Sequence, residues 1–185
     1  MVLVEVEVVP QIGQDLWTLP IENDGARLLP GKPELFRATP PLEGQAAFSP
    51  GGRWLAYYSD ESGALEVYVR AYPNNGGKWQ ISNGGGMYSA WSRNGHELFY
   101  RTVDNQIMLA SYTAKGDSFA AQKPRVWSQK RIANIGQNMN YDVAPGKRIA
   151  AIMPAEASGA QPAQGRVTFV LNFFDELRRR VPVAK

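Results

Sequence analysis

Short runs in which apolar and polar residues alternate fill most of this chain. Breakers separate them, and no stretch before the last fifteen residues has helical periodicity. The runs repeat. Phe48-Ser49-Pro50-Gly51-Gly52-Arg53-Trp54-Leu55-Ala56-Tyr57 recurs as Trp91-Ser92-Arg93-Asn94-Gly95-His96-Glu97-Leu98-Phe99-Tyr100, 43 residues later. A worn third copy runs from Val143 to Ile152. Each copy is an apolar residue, a Gly-containing turn, then an apolar run rich in aromatic or β-branched side chains. That pattern predicts strand, tight turn, strand, with Gly supplying the positive φ of the hairpin.

A repeat of about 40 to 50 residues built from short strands predicts the blades of a β-propeller. The fold expected is therefore all-β, with about four blade-equivalents of antiparallel strands in a single domain, residues 1–185. Residues 1–38 form an incomplete first blade, with strands at Val2–Val9, Asp15–Ile21 and Leu35–Ala38. Residues 44–83 form a blade with strands at Gly44–Ser49, Trp54–Ser59, Leu65–Ala71 and Lys78–Ser82. Residues 87–128 repeat it with Met87–Ser92, Glu97–Thr102, Gln106–Tyr112 and Arg125–Ser128. An incomplete last blade, 138–173, has Asn140–Ala144, Lys147–Met153 and Arg166–Asn172. A short C-terminal helix is expected over 173–181, capped by Asn172, with acids in its first turn, three Arg in its last, and Pro182 beyond.

The totals change this picture little. Hydrophobic residues are 44% and charged residues 20% of the 185, as in ordinary globular proteins. There is no Cys, which excludes disulfides, thiolate metal sites and cysteine nucleophiles. No run approaches a membrane span, and the apolar N-terminus carries Glu5 and Glu7 where a signal peptide would be uncharged. With Met1 as the native start, a cytoplasmic location is expected. Charge is uneven: residues 1–120 hold 9 Lys/Arg and 13 Asp/Glu, residues 121–185 hold 11 and 4.

The hairpin FSPGGRWLAY, the segment Lys78-Trp79-Gln80-Ile81-Ser82-Asn83-Gly84-Gly85-Gly86, and the ending Val170-Leu171-Asn172-Phe173-Phe174-Asp175-Glu176-Leu177 resemble the TolB-like (WD-repeat-like) β-propellers. More narrowly, they resemble the sensor propeller C-terminal to many bacterial serine/threonine protein kinases. The resemblance runs from about Asp15 to Pro182. It implies a non-catalytic binding platform, and its kinase-linked members are often extracytoplasmic. Two departures stand out. Gly51 and Asn94 occupy the turn position where the family usually has Asp, and the chain supplies fewer blades than a full propeller.

A series of blades that does not close leaves two flat apolar faces. A ring-closing homodimer of six or eight blades is expected to cover them, with acidic and basic ends meeting at each seam. Gln45, Tyr88 and Asn140 begin the innermost strands and are expected to ring a channel mouth, where an unidentified protein or small ligand would bind. The bland reading of the neighbouring aromatics is blade-to-blade core.

Other constellations are weaker. His96, the sole His, lies in a turn with no nucleophile elbow nearby. Gly84-Gly85-Gly86 lacks the following Lys-Ser/Thr and helix of a phosphate loop and reads as a link between blades. Asp60, Glu61 and Asp142 are candidate carboxylates for a glycan-cleaving or glycan-binding propeller, the alternative function. Arg178-Arg179-Arg180, Lys130-Arg131 and Lys147-Arg148 lack the interleaved aromatics of a nucleic-acid surface. The expected protein is not an enzyme and needs no cofactor, no metal, no nucleic acid and no membrane.

Overall fold

The computed structural model describes residues 2–9, 13–25, 27–73, 76–136, 138–146 and 148–155, and all of its strands belong to one compact unit, Met1–Pro154. The expected helix over 173–181 and the strand Arg166–Asn172 lie outside the described residues.

Among the described residues the chain is all-β and antiparallel. The first sheet comprises β1 (Val2–Val9), β2 (Gly13–Asn23), β3 (Leu28–Pro30) and β4 (Glu34–Arg37), with β1, β3 and β4 all paired to the long β2. The second is a plain meander of β5 (Glu43–Phe48), β6 (Trp54–Ser59), β7 (Glu66–Ala71) and β8 (Lys78–Gln80). The third repeats that order with β9 (Met87–Trp91), β10 (Glu97–Arg101) and β11 (Ile107–Lys115), to which both β12 (Ser118–Ala121) and β13 (Arg125–Val126) pair. A fourth begins with β14 (Tyr141–Ala144) and β15 (Arg148–Ala151).

Both repeat hairpins close in the same way. Gly52 donates to the Ser49 carbonyl and Gly95 to that of Ser92, and both glycines have positive φ. The hydroxyls of Ser49 and Ser92 each accept the backbone N–H five residues on, from Trp54 and Glu97, at 3.1 Å. Asn94 Oδ1 accepts the His96 N–H, so an amide oxygen serves in the turn where the resembled family has Asp.

Alternation along each middle strand buries both faces of its sheet. From β6, Leu55 and Tyr57 pack with Leu16 and Phe36 of the first sheet, while Trp54 and Ala56 pack with Leu98 and Tyr100 of the third. From β10, Phe99 turns the other way, joining Tyr141 and Val143 of the fourth. Three apolar layers thus alternate with successive sheets. The first strands of the last three sheets meet along one side: β5 packs on β9 and β9 on β14, while β5 also packs on the central β2 of the first sheet. Sheets stacked face to face with their first strands gathered together form a β-propeller arrangement.

Two strands depart from the expected layout. β11 runs past Tyr112 to Lys115 and returns as β12, a hairpin placed where the sequence predicted only a loop before Arg125. Its Phe119 reaches into the layer between the second and third sheets, where it stacks on Tyr112 at 4.9 Å. β3 is the other addition; all three of its residues are exposed, so it carries no burial pattern for a sequence reading to find.

Candidate functional site

The innermost strands β5, β9 and β14 come together along a groove of about 580 Å³. Its apolar wall is Ala46, Ala47, Phe48, Ala90, Trp91 and Met139; its polar groups are Gln45, Ser89, Asp142 and Arg93. The Trp91 indole N–H is already committed, donating to the Ala47 carbonyl at 2.8 Å and tying β9 to β5. By contrast, Gln45 Oε1 and Ser89 Oγ are buried and have no hydrogen-bond partner. Buried polar atoms without a partner are uncommon, because each bears its full desolvation cost. Both atoms belong to residues that line the groove, but they lie behind its accessible surface.

The three residues expected at the mouth occupy equivalent levels of their strands and behave differently. Gln45 lines the groove. Tyr88 is 4% exposed and belongs to the core between the third and fourth sheets. Its ring meets Tyr58 edge-on at 5.8 Å and carries the Arg101 guanidinium over its face at 4.3 Å. Burial raises the pKa of its phenol, against the pull of Arg101. Asn140 is 3% exposed and its side-chain N–H2 donates to the Ala133 carbonyl, so it fixes the approach to β14.

Gln45 and Tyr88 share a second property. Their φ angles are +36° and +55°, left-handed conformations that non-Gly residues rarely adopt. Each stands at a register shift, in β5 between Gly44 and Ala47 and in the β9–β10 pairing between Met87 and Ala90. A bulge at the same level of both inner strands re-aims the side chains that follow it. Strain of this kind concentrates at binding sites. Neither Ser89 nor the bulges carried a sequence signal: a lone Ser in a strand is ordinary, and both bulged residues are non-glycine.

The remaining candidates resolve into structural roles or stand apart. His96 is an exposed turn residue beside a separate surface hollow that also includes Tyr112 and Gln122. Asp60 Oδ1 accepts the Leu42 N–H at 2.8 Å. Glu61 is shared between Arg37 and Lys78, at 3.2 and 2.9 Å. Asp142 does line the groove, where it is the single carboxylate among the described lining residues. A two-carboxylate glycosidase needs a second group flanking the substrate, and neither Asp60 nor Glu61 lines the groove.

The triple-glycine link is an anion cradle already filled from within. The N–H groups of Gly84 and Gly85 donate to Glu66 Oε1 at 2.8 and 2.9 Å, and the Ser82 hydroxyl donates to Oε2. Successive backbone N–H groups make such a concavity, and here the chain's own carboxylate occupies it. Buried Tyr100 lies close by, its phenol pushed up to about 12 by burial and by the charge of Glu66. Of the basic pairs, Lys130 and Arg131 are exposed, and Arg131 pairs with Asp104 at 2.8 Å. The Arg178–Arg180 run lies outside the described residues.

No family model matches the chain, and neither does any curated protein. Among solved structures it is similar to a protein described as a TolB of Agrobacterium tumefaciens, at 12% identity and a TM-score of 0.45, over 68% of this chain and 46% of that one. It is also similar to TolB from Acinetobacter baumannii, at 14% identity and a TM-score of 0.44, over 85% of this chain and 48% of that one. The chain spans about half the length of each. The stacked sheets carry the fold assignment. No helix among the described residues is long and apolar enough to cross a membrane.

Proposed function

We propose that this chain is a non-catalytic binding module that takes a short peptide or small ligand in the groove between β5, β9 and β14. The observation that carries it is the groove itself, about 580 Å³, with apolar walls and with Gln45, Ser89, Asp142 and Arg93 among its lining residues. Such a combination fits a ligand that buries apolar surface and donates hydrogen bonds at fixed points. A sensor role like that of the kinase-linked propellers is the finer form of this reading, supported by the sequence resemblance. The test is a selection from a random peptide library and a glycan array. Selected peptides should bind the wild type and lose at least tenfold in affinity to a Gln45→Ala/Ser89→Ala variant. Equal binding by both proteins refutes the assignment. Binding only to glycans, with aryl-glycoside cleavage abolished in Asp142→Asn, would replace it by the glycan reading.

We further propose that a second copy of the chain covers the two end sheets. Leu28, Leu29 and Leu35 are exposed on the first sheet, and Ile152 and Met153 just beyond β15, with Leu28 at 63%. The uneven charge of the two parts of the chain favours an acidic end meeting a basic one.

A further inference from the structure

Among the described residues that line the groove between β5, β9 and β14, two are charged, and their signs are opposite. Arg93 stands in the turn after β9 and Asp142 within β14, and both are exposed. No ion pair among the described residues includes either of them, so the two charges face one cavity without neutralising each other. Asp142 Oδ1 accepts the Val143 N–H at 2.8 Å, a local bond that leaves its charge in place.

The charges stand at different levels of the groove. The repeat makes Phe48, Trp91 and Val143 equivalent, and therefore also Ala47, Ala90 and Asp142. The bond from the Trp91 indole to the Ala47 carbonyl holds β9 beside β5 in that alignment. Asp142 is thus level with two alanines, whereas Arg93 and its equivalent Pro50 lie beyond the ends of their strands. Three residues separate the levels, at most about 10 Å of chain. Between them the walls are Ala47 and Ala90, short side chains that leave the groove its depth, bounded by the rings of Phe48 and Trp91. An apolar floor with an anion at one level and a cation at the other gives the groove a direction.

We infer that the groove takes a peptide segment in which an apolar residue is flanked by a basic residue toward Asp142 and an acidic residue toward Arg93. This pattern rests on the peptide reading of the groove and adds which charges the peptide carries and where. Complementary charges fix the register of a ligand, and a ligand with two charges of one sign meets repulsion at one end. An extended segment covers about 10 Å in three residues, so charges two or three positions apart reach both levels. A neutral glycan would satisfy neither charge. The experiment measures binding of the full chain to an array of synthetic octapeptides. Each has a central Leu or Trp between two variable positions, two or three residues apart, filled by Lys, Asp or Ser. Peptides with one Lys and one Asp should bind wild type roughly threefold or more tighter than Lys/Lys or Asp/Asp peptides, as exposed pairs allow. Arg93→Glu should turn the preference to Lys/Lys, and Asp142→Lys should turn it to Asp/Asp. The milder Arg93→Gln should lose the preference for Asp. Asp142→Asn, which keeps an oxygen for the Val143 N–H, should lose the preference for Lys. These two keep the test in force if a reversed charge does not fold. Peptide binding with the same ranking in wild type and variants overturns the charge pattern and leaves the groove reading standing. Binding of no peptide by wild type overturns both.

Discussion

Replacing Phe119 by Ala tests whether the β11–β12 hairpin belongs to the apolar layer between the second and third sheets. Phe119 is 3% exposed and meets four rings: Tyr112 at 4.9 Å, Trp54 at 5.1 Å, Trp79 at 5.6 Å and Trp91 at 6.3 Å. Truncating a buried Phe to Ala costs about 3–5 kcal/mol. The other residues of β12 are exposed, so the hairpin can lift once its anchor is gone, which places the cost at the lower end, about 3 kcal/mol. The exposed Arg53–Asp117 pair at 2.6 Å also joins the hairpin to the second sheet, but pairs in water contribute little. For a chain of this size a loss of about 3 kcal/mol lowers the midpoint by roughly 6–12 °C. Urea unfolding followed by tryptophan fluorescence, with calorimetry alongside, measures it. Phe119→Leu, which refills most of the volume, should recover more than half of the loss. A cost below about 1 kcal/mol with an unchanged urea slope would show that Phe119 is not part of a shared layer, against the usual cost of such truncations.

Two further outcomes follow. Burial pushes the Glu43 carboxyl above its ordinary value of 4.5, against the Thr39 hydroxyl and the Arg37 guanidinium, which both lower it, and with the charge of Asp15 adding to the rise. A raised carboxyl pKa means that the folded state holds the proton more tightly. Its stabilising contribution is therefore full below the unfolded value and lost as pH rises through the folded one. The melting temperature of wild type should fall over that window relative to Glu43→Gln, and parallel pH curves for the two proteins would contradict this. The second outcome concerns the paired copies: light scattering should give twice the 20.4 kDa chain mass, decreasing at high salt as the seam charges are screened, and a monomer at all concentrations would rule the pairing out.

Much of the layered fold was legible because hairpin chemistry repeats locally. Ser49-Pro50-Gly51-Gly52 and Ser92-Arg93-Asn94-Gly95 announce the same turn, and the alternation through Trp54–Tyr57 and Leu98–Tyr100 announces two buried faces. The β12 hairpin was not legible. Thr113, Ala114 and Lys115 are all exposed, so alternation stops at Tyr112 although the strand continues. Its anchor, Phe119, is a single apolar residue in a polar stretch, and what holds it is contributed by Trp54 and Trp79 from another sheet. The groove was half legible. Gln45 followed from its level in the repeat, but that Tyr88 at the same level turns into the core depends on Tyr58 and Arg101, which no local pattern links to it.

The bulges at Gln45 and Tyr88 give each inner strand one residue more than its partner opposes. That surplus acts as slack between two demands on the same strand. The segment beyond it, from Ala47 to Phe48 and from Ala90 to Trp91, stays locked in register with its neighbours, while the residue at the bulge is free of any pairing obligation. A change of side chain at Gln45 can therefore reshape the groove wall without sliding the strands, whereas Tyr88, at the same level, is held in the interior between Tyr58 and Arg101.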